Sequence, residues 1–78
     1  MRYGTFHEIS QMHLGVTGTR RTINDAVFEL VTSDDAMGWV LLGLDANGDV
    51  AQVDPVSERE AEACGLIAKR FGHYDNQA

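Results

Sequence analysis

Residues 38–54, GWVLLGLDANGDVAQVD, place two apolar-rich runs on either side of an Asn-Gly pair. That pair predicts a β-hairpin, because both residues tolerate the positive φ of a two-residue type I′ turn. With Asn47 and Gly48 at the turn positions, Ala46 pairs with Asp49, Leu44 with Ala51 and Leu42 with Val53. Paired residues share a face and faces alternate along a strand, so Val40, Leu42, Leu44, Ala51 and Val53 form one apolar face. Trp39, Leu41, Gly43, Val50 and Gln52 form the other, with Asp45 and Asp54 at its margins. A three-residue loop would set Asp45 against Asp49 and scatter the apolar set, which disfavours that register. A lone hairpin is marginal in water, so something must cover the first face and part of the second.

Three helices are expected around this hairpin. Thr5-Phe6-His7-Glu8 fits a capping box, and Tyr3, Phe6, Ile9 and His13 or Leu14 recur at roughly helical spacing, which predicts a helix over 6–14 with Gly15 as its stop. Residues 16–19 read as a turn. Ile23, Ala26, Val27, Leu30 and Val31 then follow an i, i+3, i+4, i+7, i+8 pattern, which predicts a second helix over 20–31 capped by Thr19 or Thr22. Residues 33–37 read as a loop or a short helical turn. Ser57-Glu58-Arg59-Glu60 is a second capping box and opens a third helix over 58–71 that Gly72 ends. Its buried stripe is Ala61, Cys64, Ile67, Ala68 and Phe71, with Gly65 in mid-helix and Leu66 off the stripe. Lys69 and Arg70 complement the dipole at its end. Residues 73–78 read as a frayed tail.

The expected fold class is α+β: one small domain over 1–78, order α-α-β-β-α, with the apolar hairpin face packed on the second and third helices and the first closing one end. At 78 residues the core is small. The apolar runs are too short to span a bilayer, and MRYGTFHEISQ lacks the apolar core of a signal peptide. One cysteine makes no internal disulfide, which points to the cytoplasm.

Charge changes the picture more than composition does. The formal net charge is −6. In residues 1–31, Arg2, Arg20 and Arg21 balance Glu8, Asp25 and Glu29. From 32 to 55 the chain carries Asp34, Asp35, Asp45, Asp49 and Asp54 and no basic residue. Such a block repels nucleic acid and attracts basic surfaces, or serves only as a solvated face.

Few residues invite chemistry. Asp45-Ala46-Asn47-Gly48-Asp49 starts like a calcium loop, but Val50 stands where a glycine is needed and Val56 where a glutamate is needed. His7 and His13, six apart, do not share a helix face as paired metal ligands do, and no metal or cofactor is expected. Cys64 reads as a small core residue. A nucleophile triad would have to use His7, His13 or His73 as its base, and no catalytic residue is assigned.

Residues 8–17, EISQMHLGVT, resemble the first helix and turn of a helix-turn-helix. The resemblance implies a DNA-binding recognition helix capped by Thr17, whose Thr19, Arg20, Arg21 and Asn24 face DNA, with the hairpin as the wing of a winged helix. It covers about a third of the chain. Ile9 to Leu14 is one residue longer than the usual spacing, and Arg21 takes a position where a buried Val or Ile is expected. The wing would also bring Asp45 and Asp49 to the phosphates.

The reading that best fits the charge is a small acidic, non-enzymatic protein–protein interaction module. It docks as an inhibitor on a basic surface of a larger, nucleic-acid-handling partner, with no membrane involved. Asp34, Asp35, Asp45, Asp49 and Asp54 supply attraction, and Trp39 with Leu41 supplies the anchor. A winged-helix DNA binder is the alternative, and a homodimer burying the Trp39/Leu41 face is the third reading. The hairpin itself makes a prediction. Gly48→Val is expected to destabilise the domain by roughly 1 kcal/mol or more, read as a lower urea midpoint, because a β-branched residue resists positive φ.

Overall fold

The computed structural model describes residues 2–14 and 19–68. The order is β1 (Arg2–Tyr3), α1 (Phe6–His13), β2 (Arg20–Ile23), β3 (Ala26–Thr32), β4 (Ala36–Leu44), β5 (Val50–Val56) and α2 (Glu58–Cys64). The strands form one five-stranded mixed sheet, β1-β4-β3-β2, with β5 also paired to β4. The expected α-α-β-β-α order is therefore corrected to a sheet-dominated fold with a helix near each end.

The largest correction lies at 20–31, expected as a helix and found as the β2–β3 hairpin. Asn24 and Asp25 both have positive φ (51° and 69°), and Ile23 pairs directly with Ala26. This is the two-residue turn chemistry expected at Asn47-Gly48, and it breaks any helix at its midpoint. The apolar spacing misleads because β3 is covered on both faces. A strand buried on both sides carries nearly consecutive apolar residues, and a helical period can be picked out of such a run.

The 38–54 hairpin is real, and its predicted register holds through the core: Leu42 pairs with Val53, Leu41 with Asp54 and Trp39 with Val56. Its tip differs. The Gly48 N–H bonds the Asp45 carbonyl (3.0 Å), the Asp45 N–H bonds the Asp49 carbonyl (2.8 Å), and only Gly48 has positive φ, at 85°. The connection is thus the three-residue loop, with Asp45 opposite Asp49 and Leu44 opposite Val50. A register shift between Gly43 and Leu44 makes Ala51 the extra residue and restores the predicted pairing beyond it. Asp45 stands opposite another carboxylate because its own Oδ1 accepts the N–H groups of Asn47 and Asp49, both at 2.9 Å. Those bonds stabilise the negative charge.

Both sheet faces are covered, by elements other than those expected. On one face α1 sets Ile9 over Val31, Val40 and Leu42, with Met12, Val27 and Val53 around them. Ile9 lies directly over Gly38, where an added Cβ would come within 2.7 Å of it. On the other face α2 covers Phe28, Trp39 and Val56 with Ala61 and Leu66. Both predicted capping boxes are present, Thr5 with Glu8 and Ser57 with Glu60. Arg2 bonds both Glu8 carboxylate oxygens at 3.1 Å. With the Thr5 N–H it holds the Glu8 carboxyl at about 2. That contribution is present above the ordinary carboxylate value and is lost as pH falls towards 2.

Helix α2 is shorter than expected. It ends at left-handed Gly65, not Gly72, which lies outside the described residues with Lys69, Arg70, Phe71 and the tail 73–78. The Leu66 N–H turns back onto the Ala61 carbonyl (2.8 Å), which swings Leu66 into the core. Leu66 is thereby buried and Cys64 exposed, the reverse of the expected stripe. The turn expected at 16–19 and the Gly15 stop likewise fall outside the described residues, apart from Thr19, whose carbonyl accepts the Leu30 N–H.

Strands β1 and β5 lie end to end along one edge of β4, β1 parallel at Ala36 and Met37, β5 antiparallel from Trp39 to Leu44. Tyr3 joins them. Its hydroxyl donates to the Val56 carbonyl (2.7 Å) and accepts from the Trp39 N–H (3.0 Å), taking the place of a ladder bond. Burial pushes the phenol's pKa up, against the smaller opposite effect of the Trp39 N–H. Tyr3→Phe leaves both backbone groups without a partner and is expected to cost about 1–3 kcal/mol. A urea midpoint equal to wild type would show that water replaces the hydroxyl.

Candidate docking surface

The predicted acidic block is split by the fold. Asp34 and Asp35 lie in the β3–β4 turn, and Asp45 and Asp49 in the β4–β5 turn at the opposite end of β4. Nine residues of strand separate them, about 30 Å at the usual rise. The first pair has a cation beside it: the Asp35 carbonyl accepts the Arg2 N–H, and the pKa of the Arg2 guanidinium is raised chiefly by its hydrogen bonds to Glu8, with the Asp35 charge adding a smaller effect. Asp54 lies mid-strand on the α2 face, with its carboxylate bonded to Gln52 (2.8 Å).

The other end is more uniform. Val27 pairs with Leu42, so the Asn24-Asp25 turn comes out beside the Asp45–Asp49 turn. Asp25, Asp45 and Asp49 are all exposed there, and the chain has no Lys or Arg from Thr22 through Glu58. Apolar residues lie next to them. Leu44 and Val50 are 39% and 37% exposed at the tip, and Leu14 at the end of α1 is 77% exposed. A groove of about 490 Å³ runs between the second half of α1 (Gln11, His13, Leu14) and residues 50–53 of β5. The reason is length. The eight residues of α1 span about 12 Å, while β4 is more than twice as long.

Trp39 is not the surface anchor that the sequence suggested. It is 6% exposed, and its buried indole N–H has no hydrogen-bond partner among the described residues. Leu41 is half-buried against the same cluster. A homodimer burying the Trp39/Leu41 face is corrected for the same reason: α2 of the chain itself lies there. The helix-turn-helix reading fails on geometry. Arg20, Arg21 and Thr22 are strand residues, Asn24 is in a tight turn, Thr19 precedes β2, and Thr17 lies outside the described residues. What the sequence missed is Asp25, Leu14, Leu44 and Val50. The signal was available in the mismatch between a predicted nine-residue helix and a longer apolar hairpin face.

One buried charge cluster lies under this surface. Glu29 is 2% exposed on the α1 face of β3, between Val27 and Val31. Its cross-strand neighbour Arg20 bonds Oε1 through Nε at 2.8 Å. His13 Nδ1 lies 3.1 Å from Oε2, an ion pair once the imidazole is protonated, although it is not aligned for a hydrogen bond. The cluster thus ties α1, β2 and β3 together. The Ser10 hydroxyl, one turn before His13, donates to the Phe6 and His7 carbonyls of its own helix. Among the described residues no group of three or more His, Cys, Asp or Glu is placed to hold a metal, and no helix is long and apolar enough to cross a membrane. No protein-family model matches the chain, and neither a curated protein nor a solved structure matches it.

Removing one partner of a buried ion pair costs more than neutralising the carboxylate it faces. Arg20→Ala is therefore expected to destabilise by about 2 kcal/mol and Glu29→Gln by about 1 kcal/mol, the first moderated because Arg20 is half-exposed. Urea unfolding of both variants checks this, and the opposite ranking would contradict it.

Proposed function

We propose that this chain is a small, acidic, non-enzymatic binding module that docks the Asp25/Asp45/Asp49 end of its sheet on a basic surface of a larger partner. A protein that handles nucleic acid has such a surface, and the module would compete with the nucleic acid there. The observation that carries the reading is the exposed apolar set Leu14, Leu44 and Val50 together with Asp25, Asp45 and Asp49, which lie in a stretch from Thr22 through Glu58 that has no Lys or Arg. A merely solubilising face would have no need of an apolar centre. Charges at a rim steer encounter, while apolar groups at a centre hold the complex once formed. The single exposed thiol of Cys64 fits a reducing cytoplasm, which belongs to the same proposal.

The experiment is surface-immobilised kinetics on a partner recovered by pull-down from the native host, at two salt concentrations. Asp45→Asn with Asp49→Asn is expected to slow association and flatten its salt dependence, with a smaller effect on dissociation. Leu44→Ser is expected to speed dissociation by about tenfold or more. Rates equal to wild type for both variants would reduce the acidic end to a solvated surface.

A further inference from the structure

We infer that the groove between α1 and β5 takes an amphipathic basic helix from the partner rather than an extended strand, an inference that rests on the binding role proposed above. The argument starts at the edge of β5. The Tyr3 hydroxyl lies between the Trp39 N–H and the Val56 carbonyl, so Val56 directs its backbone groups towards β4. Orientation alternates along a strand, which turns Pro55 and Val53 outward. Pro55 has no N–H to offer, and the extra residue Ala51 interrupts the edge on the other side of Val53. Only Val53 presents both a donor and an acceptor in regular position. Strand addition needs a run of such groups, and this edge is built against it.

A helix has no such need, since its backbone hydrogen bonds are internal and only its side chains must find places. The groove supplies them. Leu14, Val50, Ala51 and Val53 give it apolar walls, and about 490 Å³ admits a short row of aliphatic side chains. The charge at its mouth selects the rest of the sequence. Asp49 precedes Val50, Asp45 stands opposite Asp49, and the chain has no Lys or Arg between Arg21 and Arg59. A helix with leucine-like residues at i, i+3, i+4 and i+7 and lysine or arginine on its flanks complements both features. A second copy of this chain would bring carboxylates to carboxylates and does not.

The test uses the full chain and three synthetic peptides of one Leu/Lys composition: one patterned for an amphipathic helix, one strictly alternating, and one helical pattern interrupted by prolines. Binding is measured by calorimetry and mapped by amide chemical shifts. The helical peptide is expected to bind about tenfold or more tighter than the other two, with shifts concentrated at 11–14 and 50–53. Val50→Ser, at an exposed position that leaves the core intact, is expected to remove most of that difference. Circular dichroism confirms its folding. Equal or tighter binding of the alternating peptide at the same end would overturn the helix inference and leave the acidic docking role standing. Helical binding indifferent to Val50→Ser would overturn the groove. No binding by any of the three at low salt would overturn the docking role itself.

Discussion

Strand β4 must satisfy its backbone along its whole length while both of its faces are covered everywhere but towards its Leu44 end. On one edge β3 does this without interruption from Met37 to Leu42. On the other, β1 and β5 run in opposite directions and meet at Gly38 and Trp39, where no ladder bond can serve both. A phenol is the right length and chemistry for that gap, because it donates and accepts at one oxygen and brings an apolar ring with it. The rest follows from this junction. It fixes β1, which places α1 over Gly38, and it fixes the end of β5, which launches α2 at Ser57. A buried polar bond thus sets the position of both apolar layers.

Those layers are short. Each is a helix of two turns or so, held at its start by a capping box and at one or two core residues by packing. In a chain of 78 residues such short helices leave part of the sheet uncovered by the described residues. The uncovered part is the end where the two hairpin turns emerge with Asp25, Asp45 and Asp49. Burial and exposure are therefore divided along the strands. The half near Gly38 carries the core, and the half near Leu44 is the more exposed. The Arg20–Glu29–His13 cluster lies between the two and ties the helix to the sheet.

What the sequence made legible was local. Both capping boxes are contact patterns within four residues, and both are present. The hairpin register through Leu42 and Val53 was legible because a one-residue slip would have turned its apolar face to solvent. The failures were of context. Whether Ala26 to Val31 is a helix or a doubly covered strand depends on what packs on it, and spacing alone does not carry that. The competing signal was Asn24-Asp25, a turn pair inside the supposed helix. Trp39 was misplaced because its face looked half polar, when Trp39 itself pairs with Val56 under α2 and the polar Asp54 and Gln52 pair further along, with Leu41 and Gly43. Of the candidate site, the aspartates at the tip were legible as charge. Their separation from Asp34 and Asp35 was not, since it depends on the strand between them.

The extra residue at Ala51 has a consequence for how this molecule can change over time. It absorbs the difference between the loop at the tip and the pairing in the core, so the two need not agree. A turn of another length or composition can be accommodated there while Leu42 still meets Val53 and every core side chain keeps its face. The acidic tip is in that sense mechanically uncoupled from the fold. Its length and sequence are free to drift or to be redesigned, much as an interchangeable tool bit leaves the handle as it was.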